Sequence, residues 1–234
     1  MAAPKKEGAR LLEAHSIMIY LKLEREVAGP LVVLCLGAHS DDIEIGCGGT
    51  ILRLAEQYPD SRFHWVVFSA SGVREAEARR AAELFVGPTR LNALQLKTFR
   101  DGFMPFVGSE VKEIFEELKP TVSPDLILTP NRKDAHQDHR LIGELTWNTF
   151  RDHLILEYEI PKYDGDMGQP SVFVPLQAEV CGKKARYLME AFPSQHTKQW
   201  FGEDTFLSLM RLRGMECNSP SGYAEAFYCR KLVF

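Results

Sequence analysis

The apolar run Leu31 to Ala38, LVVLCLGA, constrains this chain most. A stretch so short and so uniformly apolar suits a strand buried on both faces. It runs into the glycine-rich segment D-I-E-I-G-C-G-G, read as a turn, and then into Thr50 to Gln57, where Ile51, Leu54 and Ala55 share one helical face. The alternation recurs: Phe63 to Ala70 as strand, Arg74 to Val86 as helix, Leu91 to Leu96 as strand, Glu110 to Leu118 as helix, Asp125 to Thr129 as strand and Leu141 to Phe150 as helix. Such a pattern predicts an α/β fold with a mainly parallel sheet and helices on both faces. Leu154 to Ile160 and Ser171 to Leu176 read as later strands, and Ala178 to Ala191 as a helix before Pro193. The run Ile17 to Leu21 fits a strand or part of a helix equally well. With no repeat or low-complexity tract, the reading is an N-terminal extension over residues 1–30 and a single domain over 31–234.

The 234 residues suffice for one full core, and 45% of them are apolar. A net charge of −4, with Lys and Arg scattered, gives no footprint for nucleic acid or an anionic membrane. Met1 to Arg10 lack the continuous apolar core of a secretory signal, and no run is long enough to cross a bilayer. Five cysteines, Cys35, Cys47, Cys181, Cys217 and Cys229, form no C-x-x-C pair, which fits a reducing cytoplasm. Cys47 lies near the polar segments described next and is read as a small packed thiol, not a ligand. A homo-oligomer stays open.

Two segments carry chemistry. The first, Ala38-His39-Ser40-Asp41-Asp42-Ile43-Glu44, ends the first strand; the second, Asp134-Ala135-His136-Gln137-Asp138-His139, lies in the loop after the fourth. In a doubly wound sheet, strands one and four are commonly neighbours where the strand order reverses, and ligands gather outside their carboxyl ends. The segments should therefore meet. Their imidazoles and carboxylates suit zinc or another divalent transition metal, and a catalytic zinc takes three protein ligands and keeps one open position. His39, Asp42 and His139 fill those three places. Adjacent aspartates in a loop do not easily point the same way, so while Asp42 ligates, Asp41 faces the metal-bound water as general base. His136 is read as a donor to the oxyanion of a tetrahedral intermediate, with Asp138 keeping it protonated and oriented.

A-H-S-D-D-I-E and H-Q-D-H resemble the A-H-P-D-D-E and H-x-D-H signatures of the PIG-L or LmbE family of zinc-dependent N-deacetylases, and the likeness extends through Gly46-Cys47-Gly48-Gly49 and over about Leu31 to Phe150. The resemblance implies a Rossmann-like fold, bound zinc, and removal of an N-acetyl group, commonly from glucosamine. It gives His39, Asp42 and His139 as ligands, Asp41 as base and His136 as oxyanion partner. It also implies that Arg74, in R-x-x-E with Glu77, and Asp101, in D-G, contact the substrate. Ser194-Gln195 resembles an S-Q pair, and Tyr223 to Phe227 a closing Y-A-E-x-F. Ser40 replaces the usual proline, and the acidic residue, Glu44, follows an intervening Ile43. Neither departure removes a ligand.

The expected function is thus zinc-dependent hydrolysis of an N-acetylglucosamine-type small molecule. The rivals are an amidase acting on a non-sugar amide, such as a thiol conjugate or a natural-product intermediate, and a non-catalytic sugar-binding module. A nucleotide-binding reading of Gly46 to Gly49 fails because the spacing is not G-x-G-x-x-G and carboxylates crowd the turn. Trp65, Trp147 and Trp200 are read as core or pocket-wall aromatics.

Overall fold

A strand buried on both faces needs a helix layer on each, and the chain supplies both. The computed structural model describes residues 21, 23 and 28–233, so the run Ile17 to Tyr20 and most of the expected extension lie outside the described residues. Strands β1 (Val32–His39), β2 (Arg62–Ser69), β3 (Leu91–Leu96), β4 (Leu126–Pro130), β5 (Ile155–Tyr158), β6 (Val172–Pro175) and β7 (Ala224–Cys229) form one sheet in the order β3-β2-β1-β4-β5-β7-β6. β3 to β5 run parallel, while β7 is antiparallel to both β5 and β6. The strand order reverses between β1 and β4, as the sequence pattern required.

Side-chain alternation along β1 sorts the two layers. Val33 and Cys35 pack with Ile51, Phe85, Leu188 and Phe206 on one side, from helices α1 (Asp42–Gln57), α2 (Val73–Val86), α5 (Ala178–Ala191) and α6 (Glu203–Glu216). Leu34, Leu36 and Ala38 pack with Phe115 and Ile142 on the other, from α3 (Gly108–Leu118) and α4 (Gln137–Thr149). Each such fully buried Leu or Phe contributes about 1.5–3 kcal/mol. Trp65 and Trp147 sit in these two layers, and Trp200 packs partly buried against the first.

Three expectations about boundaries change. Residues 42–49, read as a turn, are the first half of α1, which kinks at Cys47 (φ −142°, ψ 15°). Glycine is a poor helix former, but here it admits neighbours: a Cβ at Gly46 would enter the Tyr158 ring, and one at Gly48 would lie 2.5 Å from Phe85 Cε1. Helix α4 likewise starts earlier than expected, so Asp138 and His139 lie in its first turn and His136 at its cap. Finally, α6 and β7 were not anticipated.

Candidate metal centre and active site

The kink in α1 frees backbone groups that Lys184 and Glu225 take up. The Glu225 carboxylate accepts from the backbone N–H groups of Gly49 (2.7 Å) and Thr50 (2.6 Å) and from Lys184 Nζ (2.7 Å); Lys184 also donates to the Ile45 carbonyl (2.5 Å). Below the same turn, Tyr158 donates its hydroxyl to the Leu36 carbonyl at 2.6 Å. The first turn of α1, which carries Asp42 and Glu44, is thereby fixed against the end of β1. Acidic residues in a first helical turn, as here and at Asp138 of α4, are favoured by the helix dipole.

The two polar segments meet at the switch point. His39 Nδ1 lies 3.1 Å from His139 Nε2 and 3.5 Å from Asp42 Oδ2, and His139 Nε2 lies 3.3 Å from Asp42 Oδ1. Four ligands at the 2.0–2.1 Å typical of zinc stand about 3.3 Å apart in a tetrahedron. The three separations are close to that spacing, the two to Asp42 being made to different oxygens of its carboxylate, so the donor set fits a zinc-sized divalent ion. His136 extends it, its ring 4.6 Å from that of His139 and 4.8 Å from that of His39. Donor atoms of His39, His136 and His139 all lie within 4.8 Å of one another, and so do those of His39, Asp101, His136 and Asp138. Neither set includes Asp42, and the second has contacts as short, with His39 Nε2 3.0 Å from Asp101 Oδ1 and 3.3 Å from Asp138 Oδ2.

Charge reinforces the geometry. Burial works against protonation of both imidazoles, yet Asp42, Asp101 and Asp138 carry His39 well above its ordinary value, and Asp42 and Asp134 carry His139 up to about 9. Burial would raise Asp42, but the two histidines hold it well below the usual carboxylate range. A field that retains protons on these nitrogens also attracts a divalent cation, which competes for the same lone pairs.

Asp41 and Asp42 diverge. Asp42 turns back to its own segment, accepting from the His39 backbone N–H at 2.8 Å, while Asp41 Oδ1 meets Arg74 at 2.7 Å. Burial lifts the Asp41 carboxyl above its ordinary value, more than Arg74 pulls it down. Arg74 is expected from the family resemblance to touch substrate. Here its guanidinium bridges Asp41 and Glu77 (2.8 Å), and Glu77 in turn accepts from the Ser194 backbone N–H (2.8 Å) and hydroxyl (2.7 Å). The R-x-x-E and S-Q elements thus close into one network behind Asp41. Glu44, one turn further on, is fully buried with neither carboxylate oxygen in a hydrogen bond, and burial pushes its carboxyl well up.

The orientation assigned to Asp138 changes. Its carboxylate accepts from the backbone N–H groups of Gly102 (2.7 Å) and Met104 (3.2 Å) and lies 3.3 Å from His39 Nε2, so it braces His39 and not the His136 ring. His136 instead accepts at Nδ1 from the Asp138 backbone N–H (3.3 Å), which leaves the proton of the neutral ring on Nε2. Burial, with His139 and His39 nearby, lowers its pKa and favours that neutral form. Asp101 reaches the centre from the exposed side, with Oδ1 3.0 Å from His39 Nε2.

One residue of the second segment has a place that the sequence reading did not assign. Asp134 Oδ2 lies 3.0 Å from His139 Nδ1, at ion-pair distance though out of hydrogen-bond alignment, while its Oδ1 accepts from the His136 backbone N–H (2.8 Å) and pairs with Lys162 (2.9 Å). Its position at the head of D-A-H-Q-D-H was the available signal. Lys162, on a different loop, had none. Cys47 is a packed thiol whose Sγ donates to the Ile43 carbonyl at 3.1 Å, and all five cysteines are free.

The chain resembles known proteins in sequence and in fold. The family model described as PIG-L, GlcNAc-PI de-N-acetylase, matches residues 34–150. A diacetylchitobiose deacetylase of Thermococcus kodakarensis is 29% identical over 129 residues, covering 48% of this chain and 46% of that protein. The chain therefore spans about half the length of the curated relative it matches. Among solved structures, N,N′-diacetylchitobiose deacetylase from Pyrococcus horikoshii aligns with a TM-score of 0.63 at 19% identity, over 85% of this chain and 83% of that one. GalB, the 4-carboxy-2-hydroxymuconate hydratase from Pseudomonas putida KT2440, aligns with the same TM-score at 18% identity, over 87% and 98%. At such identities the structures share the fold alone, and one fold hosts more than one reaction.

Proposed function

The chain belongs to the PIG-L, GlcNAc-PI de-N-acetylase, family, and from that membership we propose that it is a zinc-dependent hydrolase removing an N-acetyl group from an N-acetylglucosamine-type substrate. The observation that carries the reading is the convergence of His39, His139 and the two oxygens of Asp42, with separations of 3.1, 3.3 and 3.5 Å, beside the Asp41 carboxylate that Arg74 holds at 2.7 Å. Diacetylchitobiose deacetylase, the sequence relative, is named for deacetylation of this kind of sugar.

His39, Asp42 and His139 hold the metal, which when bound supplies a lowered water pKa and a polarised acetamide carbonyl. Asp41 takes the proton of the attacking water; Arg74 at Oδ1 fixes the carboxylate, and its raised pKa suits a group that must gain and then lose a proton. As the oxygen–carbon bond forms, the carbonyl oxygen becomes an oxyanion and His136 Nε2–H donates to it. The carbon–nitrogen bond then breaks, the proton held by Asp41 passes to the leaving amine, and acetate and a free amino sugar result. Asp138 and Asp134 orient His39 and His139 from behind. No helix among the described residues is long and apolar enough to cross a membrane, and the free cysteines agree with a cytoplasmic setting.

The test is metal analysis of the purified protein together with acetate release from a panel of N-acetylglucosaminides. Stoichiometric zinc, acetate release that a chelator abolishes, and loss of both in Asp42→Ala are expected. Absence of any divalent metal, or a metal-filled protein that releases no acetate from any member of the panel, overturns the reading.

A further inference from the structure

Lysine and arginine are scattered along the sequence, but the fold gathers four of them. Arg132, Arg151, Arg230 and Lys231 line a cleft of about 420 Å³ together with Trp147, and Glu144 is the one carboxylate in its lining. Leu156 pairs with Cys229, so Arg230 and Lys231 follow β7 beside the start of β5, whereas the metal centre lies past the carboxyl ends of β1 and β4. No lining residue belongs to that centre. The cations converge on one ring: the guanidinium carbons of Arg132 and Arg230 lie 4.9 and 5.5 Å from the Trp147 centroid, and Lys231 Nζ lies 5.6 Å from it. Beneath them, the buried Glu157 carboxylate accepts from Trp147 Nε1 (2.6 Å) and from the backbone N–H and the Nε of Arg132 (both 2.9 Å). These bonds fix the indole and aim the Arg132 guanidinium. Lys231 donates to the Arg151 carbonyl, which ties the segment after β7 to the segment after α4. Of the four cations, Arg132 alone has an ion-pair partner among the described residues, and that partner is Glu157.

Like charges held this close repel one another, and a cleft walled by one sign focuses its field on a small counter-ion. Guanidinium forks held on a fixed ring match the terminal oxygens of a tetrahedral oxyanion. We infer that this cleft is a second binding site, separate from the metal centre, and that its ligand is a small molecule carrying a phosphate monoester. The monoester brings a double charge and three terminal oxygens to cations that lack partners. A nucleic acid or an anionic membrane is the weaker occupant, because a phosphodiester offers one charge per phosphate and the net charge of −4 opposes an extended polyanion. The three cations over Trp147 also leave its indole no free platform for a stacked base.

Calorimetry at physiological ionic strength tests this with glucose 6-phosphate, glucose, a short single-stranded oligodeoxynucleotide and phosphatidylglycerol vesicles. Glucose 6-phosphate should bind the wild type at least about tenfold more tightly than glucose, and R230Q/K231Q should weaken it by about tenfold or more. Arg151→Gln, on a separate segment, should weaken it by about threefold or more. Asp42→Ala, which disables the metal centre, should bind it as the wild type does. Arg151, Arg230 and Lys231 are all exposed, and circular dichroism checks that each variant is folded. No binding of glucose 6-phosphate, unchanged affinity in folded R230Q/K231Q, or tighter binding of the oligonucleotide or the vesicles overturns the inference. Loss of binding in Asp42→Ala with the cleft variants unaffected places the phosphate at the metal centre and overturns it equally.

Discussion

The chain buries two charged clusters within one helix of each other, and they are built on opposite principles. Lys184 and Glu225 close on themselves: the carboxylate accepts three donors, the ammonium serves that carboxylate and one carbonyl, and both side chains are almost wholly buried. The centre at the switch point does not close. Two imidazole nitrogens face each other at 3.1 Å, Asp41, Asp42, Asp134 and Asp138 surround them, and Arg74 and Lys162 are the cations that pair with this group. A satisfied buried pair is a structural fixture, whereas an excess of carboxylate around converging imidazole nitrogens suits a cation. The first cluster holds the helix that presents the second.

That contrast predicts different kinds of damage. The largest effect is expected at Asp41→Asn, which keeps the shape and removes the base: kcat should fall about 10²–10⁴-fold while zinc content stays unchanged. Wild-type turnover by a zinc-loaded variant would remove Asp41 from the mechanism. Lys184→Met breaks the closed pair and strands a buried carboxylate, so unfolding in denaturant should show a loss of about 3–5 kcal/mol. A loss below about 1 kcal/mol would mean that the pair is not what fixes the kink of α1.

What could be read in advance follows the same division. Elements with one period and clear ends were legible: β3 over Leu91–Leu96 and α5 over Ala178–Ala191 coincide with their sequence-based bounds. The neighbouring of β1 and β4 followed from the strand and helix alternation alone, and with it the meeting of His39 and His139. The start of α1 was hidden because glycine's low helix propensity is overridden by contacts with Tyr158 and Phe85, which a local reading does not contain. Helix α6 lacks a clean apolar face: Leu212 and Met215 are exposed, while Arg213 is buried against Glu159. In β7 a buried glutamate, Glu225, interrupts the expected alternation. Within the site, residue types were legible and partners were not. Asp138 stands next to His139 and two residues from His136, yet serves His39, which is 99 residues away.

The smallest of the predicted effects separates the two principles most finely, because Asp134 belongs to both. Its Oδ1 completes an ordinary turn, accepting the His136 N–H and pairing with Lys162, while Oδ2 faces Nδ1 of His139, the nitrogen opposite the one that meets Asp42. Asp134→Asn preserves an oxygen acceptor for the turn but removes the negative charge behind the imidazole. If Asp134 works as an outer partner of a ligand, the ring loses orientation and basicity, and zinc affinity measured by chelator competition should fall about 10–100-fold. The fold should persist, because the backbone hydrogen bond survives. Unchanged zinc affinity in a folded variant would instead class Asp134 with Lys184 and Glu225, as a residue that shapes the chain around the centre without tuning it.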